Sequence, residues 1–533
     1  MNMYSPRQKI LWFAFSSRIV VIFLQAISNF IIPDHDANVF ISPVDPSLRQ
    51  TYADVAVNNL LGGMKRWDAQ YFIHIAQYGY TYENCLAFYP LFPMVVRYVA
   101  YGLCSLLGTL LNFHSALLIS ATIINVLMFI KSADVLHRLS LRVTRSECKA
   151  YKCAILYCVN PASIFFTAPY SETLFAWMSF YTMLKCTENE TLRFANIDIT
   201  SGMPAGFSLI TRSNGSVNIG FILYTSFKNV IERTLPEIVY KYKTLKHRII
   251  IPVLLLPLFT SSVALFLVLI ITFIPFLLVQ TYNYFKFCIL NDHNLPEFLS
   301  NTEYVLPGSA ESPWCNSTIP LSYSYIQSHY WDVGFFKYYK LKQIPNFILA
   351  SPCIFLILYH CISYINSNFK LCLRLGIKSN VFGYSNKMPY RQKQYSKGFG
   401  ANDPSMFVYI VHVMFLTIFC IIFVHIQVST RLLASASPVL YWICSSRMNV
   451  GPTPTSDQNT INEHFRRIGI GKRIPSHHLS IANLEGVDNM YSKWKTFVIS
   501  RRMPDFHSRL IQYYFIGYFI IGTIFYSNFY PWT

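Results

Sequence analysis

The sequence predicts an all-α protein that crosses a membrane several times. Of its 533 residues, 53% are hydrophobic and only 13% are charged, whereas soluble domains carry roughly 25% charged residues. Charge is costly in hydrocarbon, so a chain that lies largely in lipid contains little of it. No alternating strand pattern recurs, and helices are then the spanning elements to expect.

Apolar stretches near the length of one crossing, about 20 residues, predict roughly 8–11 membrane segments, some of them re-entrant. The candidates are 11–32, 89–111, 115–137, 153–168, 170–186, 204–227, 250–285, 346–365, 406–428, 430–446 and 510–527. Arg18 lies inside the first and must face protein or reach the membrane surface. The 250–285 segment exceeds one crossing and is expected to tilt or to begin with an interfacial piece.

The charges that remain are strongly basic, with 44 Lys and Arg against 25 Asp and Glu. They occur in short runs between apolar stretches, which is typical of cytosolic loops of membrane proteins and argues against nucleic-acid binding. The predicted cytosolic loops are 138–152, 228–248 and 366–402, and the predicted lumenal loops are 33–88 and 286–343. Three segments separate the first two basic loops, so either one segment is re-entrant or one basic loop is lumenal.

A single integral-membrane catalytic domain, 1–533, is expected, with a variable polar connection at 447–508. The thirteen cysteines contain no CxxC motif and form no metal or redox framework. Cys85 and Cys315 both fall in predicted lumenal loops and are candidates for a disulfide. Asn316, in a predicted lumenal sequon, is a candidate for glycosylation.

The first candidate site is Arg66-Trp67-Asp68-Ala69-Gln70, in the first predicted lumenal loop. Asp68 can act as a general base toward a sugar hydroxyl. Trp67 can stack on a sugar or exclude water from the carboxylate. The alternative is an interfacial amphipathic helix with aromatic anchors and a solvated Asp68.

Two further candidates lie where apolar segments are interrupted. Tyr170 and Glu172 follow Asn160 to Pro169, and Glu172 is an ionisable group that requires a partner or a role; the alternative is a helix cap. Arg212-Ser213-Asn214-Gly215 interrupts 204–227, the best re-entrant candidate. Arg212 can bind a phosphate or pair with Glu172 in a purely structural contact.

A fourth candidate is aromatic, polar and basic and precedes a membrane segment. It contains Gln327, Tyr330 and Lys342 and can bind a sugar and a lipid phosphate, or form an ordinary interfacial belt. His425 and Arg431 are either anion contacts or end residues that reach the membrane surface.

Several known signatures are absent from the sequence, including the P-loop, GxGxxG after a strand, HExxH and GxSxG. Asp34-His35-Asp36 is a lone DxD triplet, which we interpret as a solvated turn rather than a metal site. No metal ligand is assigned.

Taken in order, these blocks resemble the second GPI mannosyltransferase family, the PIG-V-like enzymes. The matching stretches are Ile32-Pro33-Asp34-His35, Gly62 to Gln70, Ala87 to Pro93, Asn160-Pro161-Ala162, Tyr170-Ser171-Glu172, Arg212-Ser213-Asn214-Gly215, Gln327 to Trp331, Gln343 to Phe347 and Pro531-Trp532-Thr533. Each stretch is weak alone, but together they span nearly the whole chain.

The resemblance implies a GT-C-type glycosyltransferase fold in the endoplasmic reticulum membrane. It implies transfer of the second, α1,6-linked mannose from dolichyl phosphate mannose to a GPI-anchor precursor in the lumen, with Asp68 as the catalytic carboxylate. No cofactor is implied, a requirement for divalent metal is left open, and a small membrane subunit is a further candidate partner. The expected substrate-binding residues are Trp67, Gln70, Tyr170, Glu172, Arg212, Asn214, Gln327, Tyr330, Lys342 and Arg431.

One departure is Asp332, where the family pattern leads us to expect Asn, so its acid is not taken as essential. Two alternatives remain open. One is another dolichyl-phosphate-mannose-dependent mannosyltransferase of the endoplasmic reticulum. The other is a polytopic lipid transporter, although transporters usually contain pseudo-symmetric repeats and none is evident.

Overall fold

The structure, a computed structural model, describes residues 5–37, 39–189, 198–244, 251–290, 295–300, 303–308, 312–377, 404–448 and 506–532. These ranges are helical or irregular and contain no strand. Most of the predicted polar connection, 449–505, lies outside the described residues.

The helices follow one another with short 3-10 turns between several of them. They are α1 (Pro6–Ile31), α2 (Tyr52–Leu61), α3 (Ala69–Tyr78), α4 (Leu91–Leu107), α5 (Phe113–Thr144), α6 (Glu147–Cys158), α7 (Glu172–Asn189), α8 (Gly202–Leu209), α9 (Ile219–Asn229), α10 (Leu235–Thr244), α11 (Ile251–Tyr284), α12 (Glu297–Ser300), α13 (Ser322–Trp331), α14 (Ile344–Ser367), α15 (Phe369–Leu373), α16 (Phe407–Phe423), α17 (Ser429–Ala436), α18 (Val439–Arg447) and α19 (Phe506–Ser527).

Seven helices of the described residues are long and apolar enough to cross a membrane, which confirms the predicted multi-pass, all-α class. They are α1, α4, α5, α11, α14, α16 and α19, three of them lengthened by an adjoining 3-10 turn. The predicted interfacial piece at the start of 250–285 is not seen, since α11 runs as one helix through Pro257 and Pro275.

The other four predicted segments form short or enclosed helices. The 204–227 segment is broken as predicted, because α8 ends at Leu209 and α9 begins at Ile219. The 430–446 segment is divided between α17 and α18, and Val439 to Cys444 are buried in protein. Segments 153–168 and 170–186 correspond to the end of α6 with a 3-10 turn and to α7. An apolar stretch thus indicates a segment that is removed from water, and for 430–446 neighbouring helices provide much of that burial.

The predicted basic loops 138–152 and 228–248 are wrong as loops, because helix covers most of them. α5 continues to Thr144 and α6 begins at Glu147. A π-helical turn, Val230–Thr234, joins α9 directly to α10. Most of their described arginines and lysines lie within these helices, where charge on one face does not interrupt the backbone.

Arg18 faces protein, as one of the two predicted options required. It is fully buried in α1 and donates to the Ser163 carbonyl at 2.8 Å, the Cys158 carbonyl at 2.8 Å and the Thr167 hydroxyl at 3.0 Å. These acceptors lie at the end of α6 and in the stretch between α6 and α7. The Arg18 guanidinium thereby provides hydrogen-bond donors for two main-chain carbonyls and holds the segment that leads to α7 and Glu172.

A cluster of aromatic residues, which we call the cap, joins the segment after α3 to the segment after α11. It contains the 3-10 turns Glu83–Ala87 and Pro313–Asn316 and helix α13. The candidate disulfide between Cys85 and Cys315 does not form. Cys315 instead pairs with Cys288, at a Cα–Cα distance of 5.6 Å. Cys85 is a buried free thiol inside the cap, where it packs as a small apolar side chain.

Candidate active site

Four charged side chains, distant in sequence, form a line of alternating sign that we call the charge chain. Arg431 Nη2 donates to Asp68 Oδ2 at 2.6 Å. Arg431 Nη1 lies 3.7 Å from Glu172 Oε1, and Arg212 Nη1 approaches the same oxygen to 2.5 Å. Glu172 and Arg212 were predicted from interruptions in apolar segments, Arg431 from its position beside the 406–428 segment, and Asp68 from the Trp-Asp motif. The contacts place the four in one site.

The members of the charge chain differ in access to solvent. The Glu172 side chain is fully buried, whereas 29% of the Asp68 side chain is exposed; Arg431 and Arg212 are 13% and 16% exposed. A substrate hydroxyl can therefore reach Asp68, while Glu172 lies behind the arginines. This difference favours Asp68 as the reacting acid and Glu172 as a residue that orients the arginines.

Local backbone geometry explains why the Asp68 carboxylate is available. Asp68 precedes the first residue of α3, where an Asp side chain usually accepts from the helix N–H groups, but its side chain makes no such bond. The preceding Trp67 has φ of 53°, a left-handed conformation that is rare for a bulky residue. This turn directs the carboxylate to Arg431 instead of to its own helix.

Two helices support the loop that carries Asp68. In α19, the Tyr526 hydroxyl lies 2.9 Å from the carbonyl oxygens of both Met64 and Arg66. Arg66 donates to Asn29 in α1 at 2.8 Å and pairs with Asp34 at 2.9 Å. Side chains from α1 and α19 therefore add to the hydrogen bonds that the loop makes within itself.

Arg212 reaches the site because the chain breaks between α8 and α9. Its backbone is extended, and its amide donates to the Ser208 carbonyl at 3.1 Å. Gly215 is packed so closely against that turn that a Cβ atom would overlap the Ser208 carbonyl. A glycine is thus required where the chain folds back.

Aromatic rings surround the Arg431 guanidinium. Its Cζ lies 5.0 Å from the centroid of Phe165 and 5.3 Å from that of Tyr170, distances that permit cation–π attraction. Tyr170 was predicted to contact substrate, but it is only 1% exposed. In this structure its ring forms a wall behind Arg431.

Comparison with known proteins identifies the family. A family model described as Mannosyltransferase (PIG-V) matches residues 7–533. The chain is 34% identical over 532 residues to GPI mannosyltransferase 2 of Drosophila pseudoobscura pseudoobscura, covering 99% of this chain and 100% of the relative. This chain belongs to the PIG-V mannosyltransferase family. It is also 34% identical over 535 residues, 99% of each chain, to GPI alpha-1,6-mannosyltransferase 2 of Cricetulus griseus.

Membership confirms the resemblance drawn from the motifs and the predicted polytopic glycosyltransferase fold. A more distant relative, GPI mannosyltransferase pigv-1 of Caenorhabditis elegans, is 24% identical over 592 residues and covers 99% of this chain. The matches extend over almost the whole length, so they include each segment that contributes to the charge chain.

In this PIG-V family chain, helix α13 extends from the Arg212 region to the Asp68 region. Near its start, the Tyr323 hydroxyl lies 2.7 Å from that of Ser213. At its end, the ring centroid of Trp331 lies 5.9 Å from the ring centroid of Tyr71, a residue in the first turn of α3. The side chain of Gln327, a predicted sugar contact, is partly exposed on the same helix. The helix therefore lies beside both ends of the charge chain.

Glu83 is a residue of the mannosyltransferase cap that sequence reasoning missed. It is 1% exposed, and its carboxylate accepts from Trp314 Nε1 and from the Tyr330 hydroxyl, both at 2.7 Å. Burial, followed by the contact with Glu83, raises the pKa of the Tyr330 phenol. The hydroxyl of Tyr330, a residue predicted to bind sugar, thus donates its hydrogen bond to Glu83. An acid in the aromatic stretch from Tyr80 to Phe88 was the available signal.

Other predicted residues lie outside the charge chain. Gln70 is buried and donates to the Lys65 carbonyl at 3.0 Å, so its amide supports the Asp68 loop. Lys342 is exposed on the 3-10 turn Leu341–Gln343. His425 stacks on Tyr338 with 4.6 Å between ring centroids. Asp34 pairs with Arg66 instead of standing free in a solvated turn.

The described residues contain no group of three or more His, Cys, Asp or Glu side chains suited to hold a metal ion. Asp332, the departure from the family pattern, pairs with Lys340 at 3.0 Å and Lys337 at 3.2 Å on the surface. That arrangement is a local ion-pair cluster separate from Asp68.

Proposed function

We propose that this chain transfers an α1,6-linked mannose from dolichyl phosphate mannose to a GPI-anchor precursor, on the lumenal side of the endoplasmic reticulum membrane. The observation that carries the proposal is the partly exposed Asp68 carboxylate, 2.6 Å from an arginine that also neighbours a buried acid. Family membership supports the mannosyl transfer, and the names of the relatives support the linkage and the acceptor class.

The proposed reaction is one inverting displacement. The mannose 6-hydroxyl of the acceptor attacks the anomeric carbon of the donor while Asp68 accepts the hydroxyl proton. A new carbon–oxygen bond forms as the bond from the anomeric carbon to the phosphate oxygen breaks. The electron pair of that bond leaves with dolichyl phosphate, so the leaving group needs cations rather than an acid.

The charge chain suits this exchange of charge. When Asp68 becomes neutral, Arg431 loses the opposing charge of its 2.6 Å partner, just as negative charge grows on the departing phosphate. Arg431 and Arg212 are the proposed phosphate contacts, because a guanidinium binds multi-oxygen anions through several N–H groups. Glu172 keeps the two arginines together through the contacts of its Oε1 atom.

The test is rescue of cells that lack their own second GPI mannosyltransferase and therefore accumulate a one-mannose GPI intermediate. Expression of this chain is expected to consume that intermediate and to restore GPI-anchored proteins at the cell surface. Microsomes from rescued cells should incorporate mannose from dolichyl phosphate mannose. Persistence of the one-mannose intermediate, with the chain present in the membrane, would refute the proposal.

A further inference from the structure

Four neutral polar groups near the charge chain are buried but have no hydrogen-bond partner within the described residues. They are the indole N–H of Trp67, the hydroxyl of Ser171, the amide nitrogen of Asn214 and the hydroxyl of Thr430. Each is one or two residues from a member of the charge chain. Buried polar groups are nearly always hydrogen-bonded in folded proteins, so a cluster of exceptions at one site requires a reason.

Ser171 stands at a position where a hydroxyl normally caps a helix. Ser5, Thr51, Asn112 and Ser146 occupy the same position before other helices, and each accepts a backbone N–H through its side chain. Ser171 precedes α7 and is 1% exposed, yet its hydroxyl has no partner. Its side chain is therefore available to a group outside the helix.

Thr430 differs in the same way from other buried threonines. The hydroxyls of Thr122, Thr182, Thr417 and Thr523 each donate to the carbonyl four residues earlier. For Thr430 that carbonyl belongs to Ile426, which already accepts the Ser429 amide. Thr430 is 0% exposed, so this hydroxyl is enclosed without the usual acceptor.

Trp67 and Asn214 also contrast with matched residues elsewhere. The indole N–H groups of Trp314 and Trp442 donate at 2.7 Å to Glu83 and to Ser140. The Asn218 amide, four residues after Asn214, donates to Ser179 at 2.8 Å. The Trp532 indole N–H and the Asn229 amide nitrogen are also buried without a partner within the described residues. What distinguishes Trp67 and Asn214 is therefore their position beside Asp68 and Arg212, together with Ser171 and Thr430.

These groups have the chemistry expected for binding sugar hydroxyls. α17 packs against α7, and the contact between Arg431 and Glu172 brings the neighbours Thr430 and Ser171 into the same region. All four groups are neutral, and two are hydroxyls that both donate and accept. A phosphate would favour the arginines, whereas a neutral polyol matches neutral donors and acceptors.

We propose that Ser171 and Thr430, together with Trp67 and Asn214, bind the ring hydroxyls of the hexose that the donor delivers, while Arg212 and Arg431 bind its phosphate. This assignment rests on the proposed function and adds the part of the site that recognises the transferred sugar. It makes Ser171 and Thr430 specificity-determining residues for the donor.

The test uses full-length chain in microsomes, with dolichyl phosphate mannose and a set of monodeoxy analogues, one for each ring hydroxyl. The variants are Ser171→Ala and Thr430→Val. The controls are Ser201→Ala and Thr234→Val, which remove equally buried, unpartnered hydroxyls from positions away from the charge chain. We expect each site variant to lower kcat/KM for the natural donor about 10- to 100-fold, because a substrate hydroxyl loses its partner.

The decisive readout is the discrimination against the analogues. The unmodified chain should discriminate against at least one deoxy donor, and that penalty should nearly disappear in one site variant while the others persist. Penalties unchanged in both site variants would overturn the assignment even if their rates fall, since a purely structural effect lowers all donors equally. Absence of mannose transfer by the unmodified chain would instead refute the proposed function.

Discussion

The charge chain and the cap are both buried polar constructions, but they are built differently. The charge chain joins two acids to two arginines through ion pairs of 2.5 to 3.7 Å. The cap surrounds Glu83 with two neutral donors, Trp314 and Tyr330, and no cation among the described contacts of that carboxylate. The arginines of the charge chain can contact an anionic substrate as well as their acids, whereas the carboxylate in the cap is held by neutral donors.

The difference separates a reacting region from a supporting one. An acid paired with a movable cation can give up that partner when it is protonated, as proposed for Asp68 and Arg431. An acid enclosed by an indole and a phenol has no such exchange, so Glu83 serves to fix α13. Substitutions in the two regions should therefore fail in different ways.

The largest effect is expected from Asp68→Asn. Loss of the general base should reduce mannose transfer by about 1,000-fold, with normal amounts of chain in the membrane. The measurement is mannose incorporation by microsomes, normalised to the amount of chain. The control is Asp45→Asn, which removes a partly exposed acid that precedes α2, in the same predicted lumenal loop as Asp68. Activity near normal in Asp68→Asn would remove Asp68 from the reaction.

Arg431→Lys should cause the next largest loss. One ammonium cannot contact Asp68 and Glu172 through separate nitrogens, as Nη2 and Nη1 do, and it binds phosphate less specifically. We expect a rise of about 10- to 100-fold in the donor KM. Arg431→Gln should in addition lower the free energy of unfolding by about 3–5 kcal/mol, because it removes one of the two cations beside the fully buried Glu172 and the arginine that pairs with Asp68.

A matched control for Arg431→Lys is Arg447→Lys, in which the arginine is exposed and stacked 5.3 Å from Tyr359. Its donor KM and thermal stability should match those of the unmodified chain. Equal effects of the two substitutions on donor KM would contradict a specific role for Arg431.

Glu83→Gln tests the cap. Trp314 and Tyr330 donate to different oxygens of the Glu83 carboxylate, and Gln replaces one of these oxygens with an NH2 donor. Each lost bond to a buried group costs about 1–3 kcal/mol. We expect lower thermal stability and transfer reduced about 10-fold. Tyr330→Phe should act through the same contact, so the double variant should be less damaging than the sum of the two.

Additive effects of Glu83→Gln and Tyr330→Phe would show that their 2.7 Å contact does not govern the cap. Glu297→Gln is the control. Glu297 is an exposed acid on α12, and Leu299 of the same helix packs in the cap. Its thermal stability should remain unchanged.

The smallest effect is expected from Lys342→Ala. This lysine is exposed and apart from the charge chain, and an exposed charge usually contributes about 1 kcal/mol or less. The donor KM should therefore change by less than about fivefold. A change as large as that of Arg431→Lys would place Lys342 on the donor phosphate.

The sequence predicted the members of the charge chain better than their connections. Glu172, Arg212 and Arg431 were identified because charge is unusual in or beside apolar segments, and Asp68 because a carboxylate beside a Trp suits glycosyl transfer. Their pairing could not be read, since Asp68 and Arg431 are 363 residues apart. Glu83 was missed for the same reason, because its partners lie 231 and 247 residues away and only folding brings them together.

The sequence also predicted membrane class better than helix length. The apolar stretch 430–446 is broken at Pro438 and enclosed by other helices, a surrounding that composition alone does not distinguish from lipid. The fully buried Arg18 takes the first of the two options that the sequence left open, contact with protein or reach to the membrane surface. Its acceptors, two main-chain carbonyls and a threonine hydroxyl between the end of α6 and α7, carry no sequence signal.

The support of the Asp68 loop by Tyr526 has a consequence for the order of synthesis. The Tyr526 hydroxyl and the Arg66 carbonyl that it contacts are 460 residues apart. A ribosome that adds 5–20 residues per second needs about 20–90 s to make that interval. The loop that carries Asp68 is thus made long before the tyrosine that supports it, so this part of the candidate site is completed only after α19 has been synthesised.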